Sequence, residues 1–339
     1  MKVQTILKKK VYIFLFLILV LICASAAYFK HAMNYPFKIK NDVSFQVNNG
    51  DNPYSVMNRL DKQNMIKNKL FIKAYIKYNK VPGDIKPGLY SIKKGESSKK
   101  FFQDIAEGNF SSDYVKVTIP EGYDIEEIAN LFDKKGLINR DEFINACKNY
   151  SIPKYIKNDD NRKYKLEGYL FPDTYEFKKG TKGKDIIDTM IKRFDEVFKQ
   201  AQKDTGKSGS DVDQTIIMAS VVEREAEVDK DRPVIASVFF NRLKIKMKLQ
   251  SCATVEYALG HHKNKLSNAD LKTKSNYNTY LIDGMPEGPI CSPGKESIKA
   301  ALNPSSTNYI YFVSNNDGTH FFTSDYNEFL KVKKKTQGF

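Results

Sequence analysis

The segment Ile216–Gly260, IIMASVVEREAEVDKDRPVIASVFFNRLKIKMKLQSCATVEYALG, sets a carboxylate, Glu223, inside an apolar helical run. At about 100° per residue, Glu223 shares a face with Ile216, Ala219 and Ala226, while Ile217, Met218, Val221, Val222 and Val228 cover most of the remaining circumference. A helix that is apolar nearly all round is an interior helix. Low dielectric disfavours a charged carboxylate, so Glu223 is expected to keep its proton towards neutral pH unless a cation pairs with it. That is the state a general acid needs. The competing reading is a structural ion pair with Arg242 of the next helix, which Pro233 opens at its first turn. Glu225 projects to the opposite face and Glu227 lies at the polar end of the helix, so both rank behind Glu223. Glu167, in LEGY, is a further carboxylate, but its neighbour Gly168 and the adjacent aromatic residues equally suit a structural turn.

The ordered motifs around Glu223 are long. VVEREA, VFFNRL and MKLQSCATVEYALG are preceded by KLEGYLFPDTYEF (165–177) and followed by SNYNTYLIDGMPEGPICSPGKESIKAALNP (275–304) and YIYFVSNNDGTHFF (309–322). Together they resemble the endolytic murein transglycosylases of the YceG-like family, over roughly residues 43 to 330. The resemblance implies a lyase that cuts the N-acetylmuramic acid to N-acetylglucosamine bond of peptidoglycan strands. It implies the glutamate of VVEREA, matched here to Glu223, as acid and then base. Most glycosidases need two carboxylates; with one, the 2-acetamido group of muramic acid can assist while its own C6 hydroxyl closes a 1,6-anhydro ring. The pool for holding sugar is Asn241, Gln250, Ser251, Thr254, Tyr257, Asn278, Tyr280, His320 and Glu167. His320 reads more simply as a hydrogen-bonded structural histidine than as a second base, and Asn241 and Arg242 could simply pin a helix pair. Cys252 and Ala253 stand where many relatives carry Asp-Pro. A murein hydrolase and a non-catalytic glycan-binding scaffold are the alternative readings.

The rest of the chain must deliver that site to its substrate. Lys2, Lys8, Lys9 and Lys10 precede an uncharged run from Val11 to Phe29, about long enough to cross a bilayer. Positive charge on its N-terminal side favours a cytoplasmic tail (1–10), a single-pass anchor (11–29) and an exported remainder. Ala24-Ser25-Ala26 leaves a cleaved signal peptide as the other reading. Residues 30–42 read as a stalk. The net charge of +15 would suit nucleic acid, but an exported chain meets lipid headgroups and wall polyanions instead. Four cysteines without metal spacing suggest neither a disulfide scaffold nor a metal site, and no cofactor is expected. Cys147 reads as a small buried hydrophobe, and Cys252 and Cys291 as either a disulfide or two thiols. The resemblance adds penicillin-binding proteins and other elongation machinery as partners.

The chain also repeats itself at an offset of 72 residues. Val47–Tyr78 aligns without gaps on Ile119–Tyr150, pairing Gly50 with Gly122, Leu60 with Phe132, Ile66 with Ile138 and Phe71 with Phe143. Both copies predict a strand, a helix, a loop ending in isoleucine and a second helix. The first copy with its following insert, 43–110, resembles the LysM-like subdomain of the family, with Tyr54, Tyr75 and Tyr90 as candidate sugar platforms. From 113 to 335 the catalytic region predicts an α+β fold. Its expected strands are VKVTIP, GYLFPDTYEF and YIYFVS, and its expected helices are Gly183–Ala201, Asp213–Val228 and Arg232–Ile245. Asp211 or Asp213 would cap the catalytic helix.

Overall fold

Two stretches of the chain fold alike because they carry the same end signals. Asn52 caps helix α2 (Pro53–Lys62) in a reciprocal box with Ser55, and Asp124 caps α5 (Ile125–Lys134) in a reciprocal box with Glu127. Each helix leads to a second one, α3 (Lys69–Tyr78) or α6 (Arg140–Lys148), started by Asn68 or Asn139. The likeness runs further than the sequence alignment. Strand β1 (Val43–Val47) pairs antiparallel with β2 (Gly88–Ile92), which leads into α4 (Ser98–Glu107). In the same way β3 (Tyr114–Thr118) pairs with β4 (Thr174–Lys178), which leads into α7 (Gly183–Thr205). The repeated unit is therefore βααβα. Between the third and fourth elements the first copy has residues 79–87 and the second copy the longer stretch 149–173.

The computed structural model describes residues 2–109, 114–263 and 265–338, with side chains from Tyr12 onward. The expected tail side chains at 1–10 and the boundary near 110–113 lie outside them. Two units result, Met1–Tyr114 and Val115–Phe339, each with its own apolar core. Mixed helices and short two-stranded sheets make the fold α+β.

In the first unit, Phe45, Leu60, Ile72, Tyr90 and Phe101 are buried, as is Tyr75. Tyr75 and Tyr90 are therefore core residues rather than sugar platforms, whereas Tyr54 is exposed. Helix α1 (Lys2–Asn34) runs past the expected anchor. Residues 30–42 do not form a free stalk: Phe37 is buried and bridges to Ile66, and Lys67 N–H donates to Pro36 O at 2.8 Å.

The second unit is organised around α8 (Val212–Glu225), whose residues from Thr215 to Val222 are all buried. Against it pack α9 (Arg232–Lys244), α10 (Cys252–Leu259) and α11 (Lys295–Leu302). Asp211 is its N-cap, accepting from Gln214 N. Asp213 does different work: it takes two hydrogen bonds from buried Arg162 at 2.8 and 2.5 Å and one from Tyr169 Oη at 2.6 Å. The helix stops at Glu225, short of the expected Val228, because Ala226 turns to an extended backbone. GYLFPD is likewise not strand. Gly168 turns it at φ +86°, and Tyr175 Oη closes it by donating to Phe171 O.

A Cβ on Gly168 would fall 2.6 Å from Pro289 Cβ and 2.9 Å from Ile216 Cγ2, so the turn is pressed directly onto α8. Gly168→Ala should combine the strain of a left-handed backbone with overpacking, roughly 2–4 kcal/mol. The midpoint of thermal unfolding of the variant should fall by about 5–15 °C; an unchanged midpoint would show that the turn admits a side chain at no cost. Last in the chain, β5 (Tyr311–Ser314) and β6 (His320–Thr323) form a hairpin, followed by α12 (Tyr326–Gln337). Helix α12 buries no side chain of its own and is held by Tyr311, whose ring lies 5.4 Å from Tyr326 and 5.2 Å from Phe329.

Candidate active site

The last turn of α8 puts its two central glutamates in different surroundings. Glu223, whose side chain is 6% exposed, has both oxygens engaged: Oε1 accepts from Arg232 Nη1 at 3.1 Å and Oε2 from Gly294 N at 2.9 Å, at the N-cap of α11. Arg232 also donates to Asp229 and to Ser297 Oγ. A cation therefore does pair with Glu223, and it is Arg232 rather than Arg242. Glu121 approaches the same corner, so closely that a Cβ on Gly294 would overlap its carboxyl. Desolvation, and then the charge of Glu223, lift the Glu121 carboxyl above the usual range. Beside it Ser292 Oγ is buried without a hydrogen-bond partner.

Glu225 projects to the other side of α8, and that side holds a cleft of about 480 Å³. The rim and walls come from Gln250, Cys252, Tyr280, His320, Arg242 and the aromatic residues Tyr311, Tyr326 and Phe329. Among the described residues lining it, Glu225 is the one carboxylate. Its Oε1 accepts a short hydrogen bond from Ser251 Oγ. Burial lifts its carboxyl above the usual range, opposed by the Ser251 bond and by the positive field of His320 and Arg242. Its place as the last residue of the helix works in the same direction as burial, since the negative end of a helix dipole disfavours a carboxylate.

The residues singled out as sugar ligands divide by what they touch. Gln250, held at φ +50°, Tyr280 and His320 line the cleft, and Ser251 reaches it through Glu225. His320 is nonetheless tied down, with Nδ1 3.1 Å from Asp231 Oδ2 and its backbone N–H donating to the same oxygen. The others hold the scaffold together. Asn241 donates to Thr307 O and Tyr309 O, Asn278 donates to Leu271 O and Thr273 O, and Thr254 bonds Ser251 O and Thr279. Arg242 donates to Leu249 O and Ile310 O, pinning α9 to the cleft wall. Cys252 Sγ lies 3.2 Å from Tyr280 Oη and Cys291 is buried beside Ser220 O; both are free thiols.

Glu167 and Tyr257 belong to another part of the unit. The Glu167 carboxylate is fully buried, accepts from Ile125 N at the start of α5 and takes Tyr257 Oη at 3.0 Å. Burial first, and then the charge of Asp124, push the carboxyl up to about 8. With the folded value above the ordinary glutamate value of 4.5, the native state binds the extra proton between the two. This stabilisation is present at low pH and is lost as pH rises through about 8. Glu167→Gln should therefore flatten stability against pH across that window, while leaving turnover within a few-fold. Urea midpoints measured below 4.5 and above 8 check the first part, and loss of turnover would return Glu167 to the reacting groups.

The sequence profile of the YceG-like family matches residues 45–335. The chain belongs to that family. An endolytic murein transglycosylase of Bacillus subtilis (strain 168) is 35% identical over 309 residues, covering 87% of this chain and 85% of the relative. One of Streptococcus pneumoniae (strain D39) is 29% identical over 301 residues, but this chain spans only about half, 54%, of its length. Among solved structures, a yceG-like protein of Listeria monocytogenes superposes with a TM-score of 0.60 at 30% identity, covering 87% of this chain and all of that one. Membership of the YceG-like family therefore extends over both units.

Proposed function

We propose that this YceG-like protein is a peptidoglycan lytic transglycosylase, anchored by α1 with its two units outside the cytoplasm, and that Glu225 is its acid and base. The observation that carries this reading is the single enclosed carboxyl of the cleft, Glu225, with a raised proton affinity and no second carboxylate among the described lining residues. A hydrolase of the usual kind needs a partner carboxylate. Here Glu225 would protonate the glycosidic oxygen as the bond from C1 of N-acetylmuramic acid to N-acetylglucosamine breaks, with the 2-acetamido group stabilising C1. The Glu225 carboxylate then takes the proton from O6, and O6 closes on C1. One C–O bond breaks and one forms, the proton that Glu225 gives to the leaving oxygen is replaced by the one from O6, and no water is consumed.

Ser251 holds the Glu225 carboxyl in place, Asp231 holds His320, and the packed cluster of Tyr311, Tyr326 and Phe329 gives the cleft an apolar wall for a pyranose ring to lie against. In the first unit, the LysM-like role of holding glycan would fall to Tyr54. Glu223 remains the rival acid, with the ion pair to Arg232 and the Gly294 bond as its competing occupation.

Mass spectrometry of fragments released from purified glycan strands tests the reaction. Chains ending in 1,6-anhydro sugar, one water lighter than a reducing end, and long or middling in length early on, are expected. Reducible ends as the main product would make the protein a hydrolase, and no fragments at all would make it a scaffold.

A further inference from the structure

Helix α1 does not leave its apolar run through a flexible linker. The run from Tyr12 to Phe29 is about 27 Å long as a helix, close to the hydrocarbon thickness of about 30 Å. That places Tyr28 and Phe29 at the boundary between acyl chains and headgroups. Both rings meet Phe71 of α3 edge-on, at 6.3 and 5.6 Å. Ser98 Oγ, at the start of α4, donates to Met33 O at 2.8 Å, and Lys38 N–H, just past α1, donates to Met65 O, in the loop before α3, at 3.0 Å, so the end of α1 is fastened to the first unit on both sides of the ring contacts. Phe71 therefore lies at the depth of Tyr28 and Phe29.

The outward face of α3 suits that depth. Its inner face, Ile72, Tyr75 and Ile76, is buried in the core of the first unit. Outward it presents Leu70, 61% exposed, and Tyr78, 76% exposed. Alongside them Lys69, Lys73 and Lys77, all exposed, recur every four residues, and α3 holds no acidic residue. One acid, Asp61 of α2, lies 3.9 Å from Lys69, with both side chains well exposed. Exposed apolar side chains flanked by a row of lysines form the pattern of a helix lying in a bilayer surface. Lysine stems can lie against acyl chains while their ammonium groups meet lipid phosphates.

We propose that the outward face of α3, Leu70 and Tyr78 with Lys69, Lys73 and Lys77, rests in the headgroup layer of an anionic bilayer, seating the first unit on the membrane. This rests on the proposal that α1 crosses the bilayer.

The chain contains no tryptophan, so a single introduced one reports its own depth. The full chain is reconstituted into vesicles of neutral phosphatidylcholine, with or without anionic phosphatidylglycerol, carrying bromine either near the headgroup or near the chain end. Three variants are compared: Leu70→Trp, Ile18→Trp within the span, and Tyr54→Trp on α2. Leu70→Trp should be blue-shifted and quenched by shallow bromine, more so with phosphatidylglycerol, and Lys69, Lys73 and Lys77→Gln together should remove that lipid dependence. Ile18→Trp should be quenched by deep bromine and Tyr54→Trp by neither. If Ile18→Trp is quenched while Leu70→Trp stays water-like and open to acrylamide, the seating is overturned and the anchor stands. If neither is quenched, the anchor fails and the seating fails with it.

Discussion

Glu225→Gln should abolish glycan cleavage in a folded protein, lowering turnover by roughly 10²–10⁴-fold, the usual worth of a general acid–base group. Gln keeps the size of the side chain and its bond with Ser251 Oγ, and loses only the transferable proton. Glu223→Gln should do the opposite. It weakens the pairing of buried Arg232, which should cost roughly 1–3 kcal/mol in stability while cleavage continues. Anhydro-sugar release from glycan strands, together with urea unfolding of both variants, separates the two roles. If Glu223→Gln were inactive yet fully stable, and Glu225→Gln active, the assignment would be reversed.

The second large effect is expected some distance from the cleft. Arg162, with no exposed side-chain surface, and Asp213 form a two-point ion pair that fixes the first turn of α8, and so the line along which Glu225 is aimed. Arg162→Leu leaves Asp213 buried without its cation and should cost about 3–5 kcal/mol. The double variant Arg162→Leu, Asp213→Leu should recover part of that loss, because no lone charge is left behind. Although burial opposes it, the bonds from Arg162 and Tyr169 hold the Asp213 carboxyl below the ordinary aspartate range. Its contribution is therefore present above that range and is lost only as pH falls through its lowered value. Denaturant unfolding of both variants near neutral pH and in acid checks the sign; a double variant worse than Arg162→Leu would mean that the pair is more than an anchor for α8.

The repeat was legible in the sequence because its signals are local. Asn52 and Asp124 announce the same helix start, and Leu60 and Phe132 fill the same core position. The later strand and helix of each copy escaped alignment because the connection that precedes them is residues 149–173 in the second copy against only 79–87 in the first. That α8 is an interior helix was equally plain, but not which of its sides is open. An apolar periodicity tells that α8 is interior; it cannot tell that residues as distant as Gln250, Tyr280 and His320 leave a cleft beside Glu225 rather than Glu223. The polar residues of the motifs posed a related difficulty. Asn241, Asn278 and Thr254 satisfy carbonyls and hydroxyls of loops that would otherwise be buried unpaired, a need as demanding as binding a sugar and indistinguishable from it in one sequence.

One wall of the cleft differs in kind from the rest. Helix α12 buries none of its side chains, and its hold is made of ring contacts and a few peripheral bonds such as Asn316 Nδ2 to Thr336 O. Such a segment should exchange its amide hydrogens through openings far cheaper than unfolding of the unit. A polymer cut at internal bonds offers no end to feed into a closed tunnel. On the proposed reading, a wall that peels away and re-zips would let a strand be laid in sideways, with the fraying of this terminal helix widening the way in.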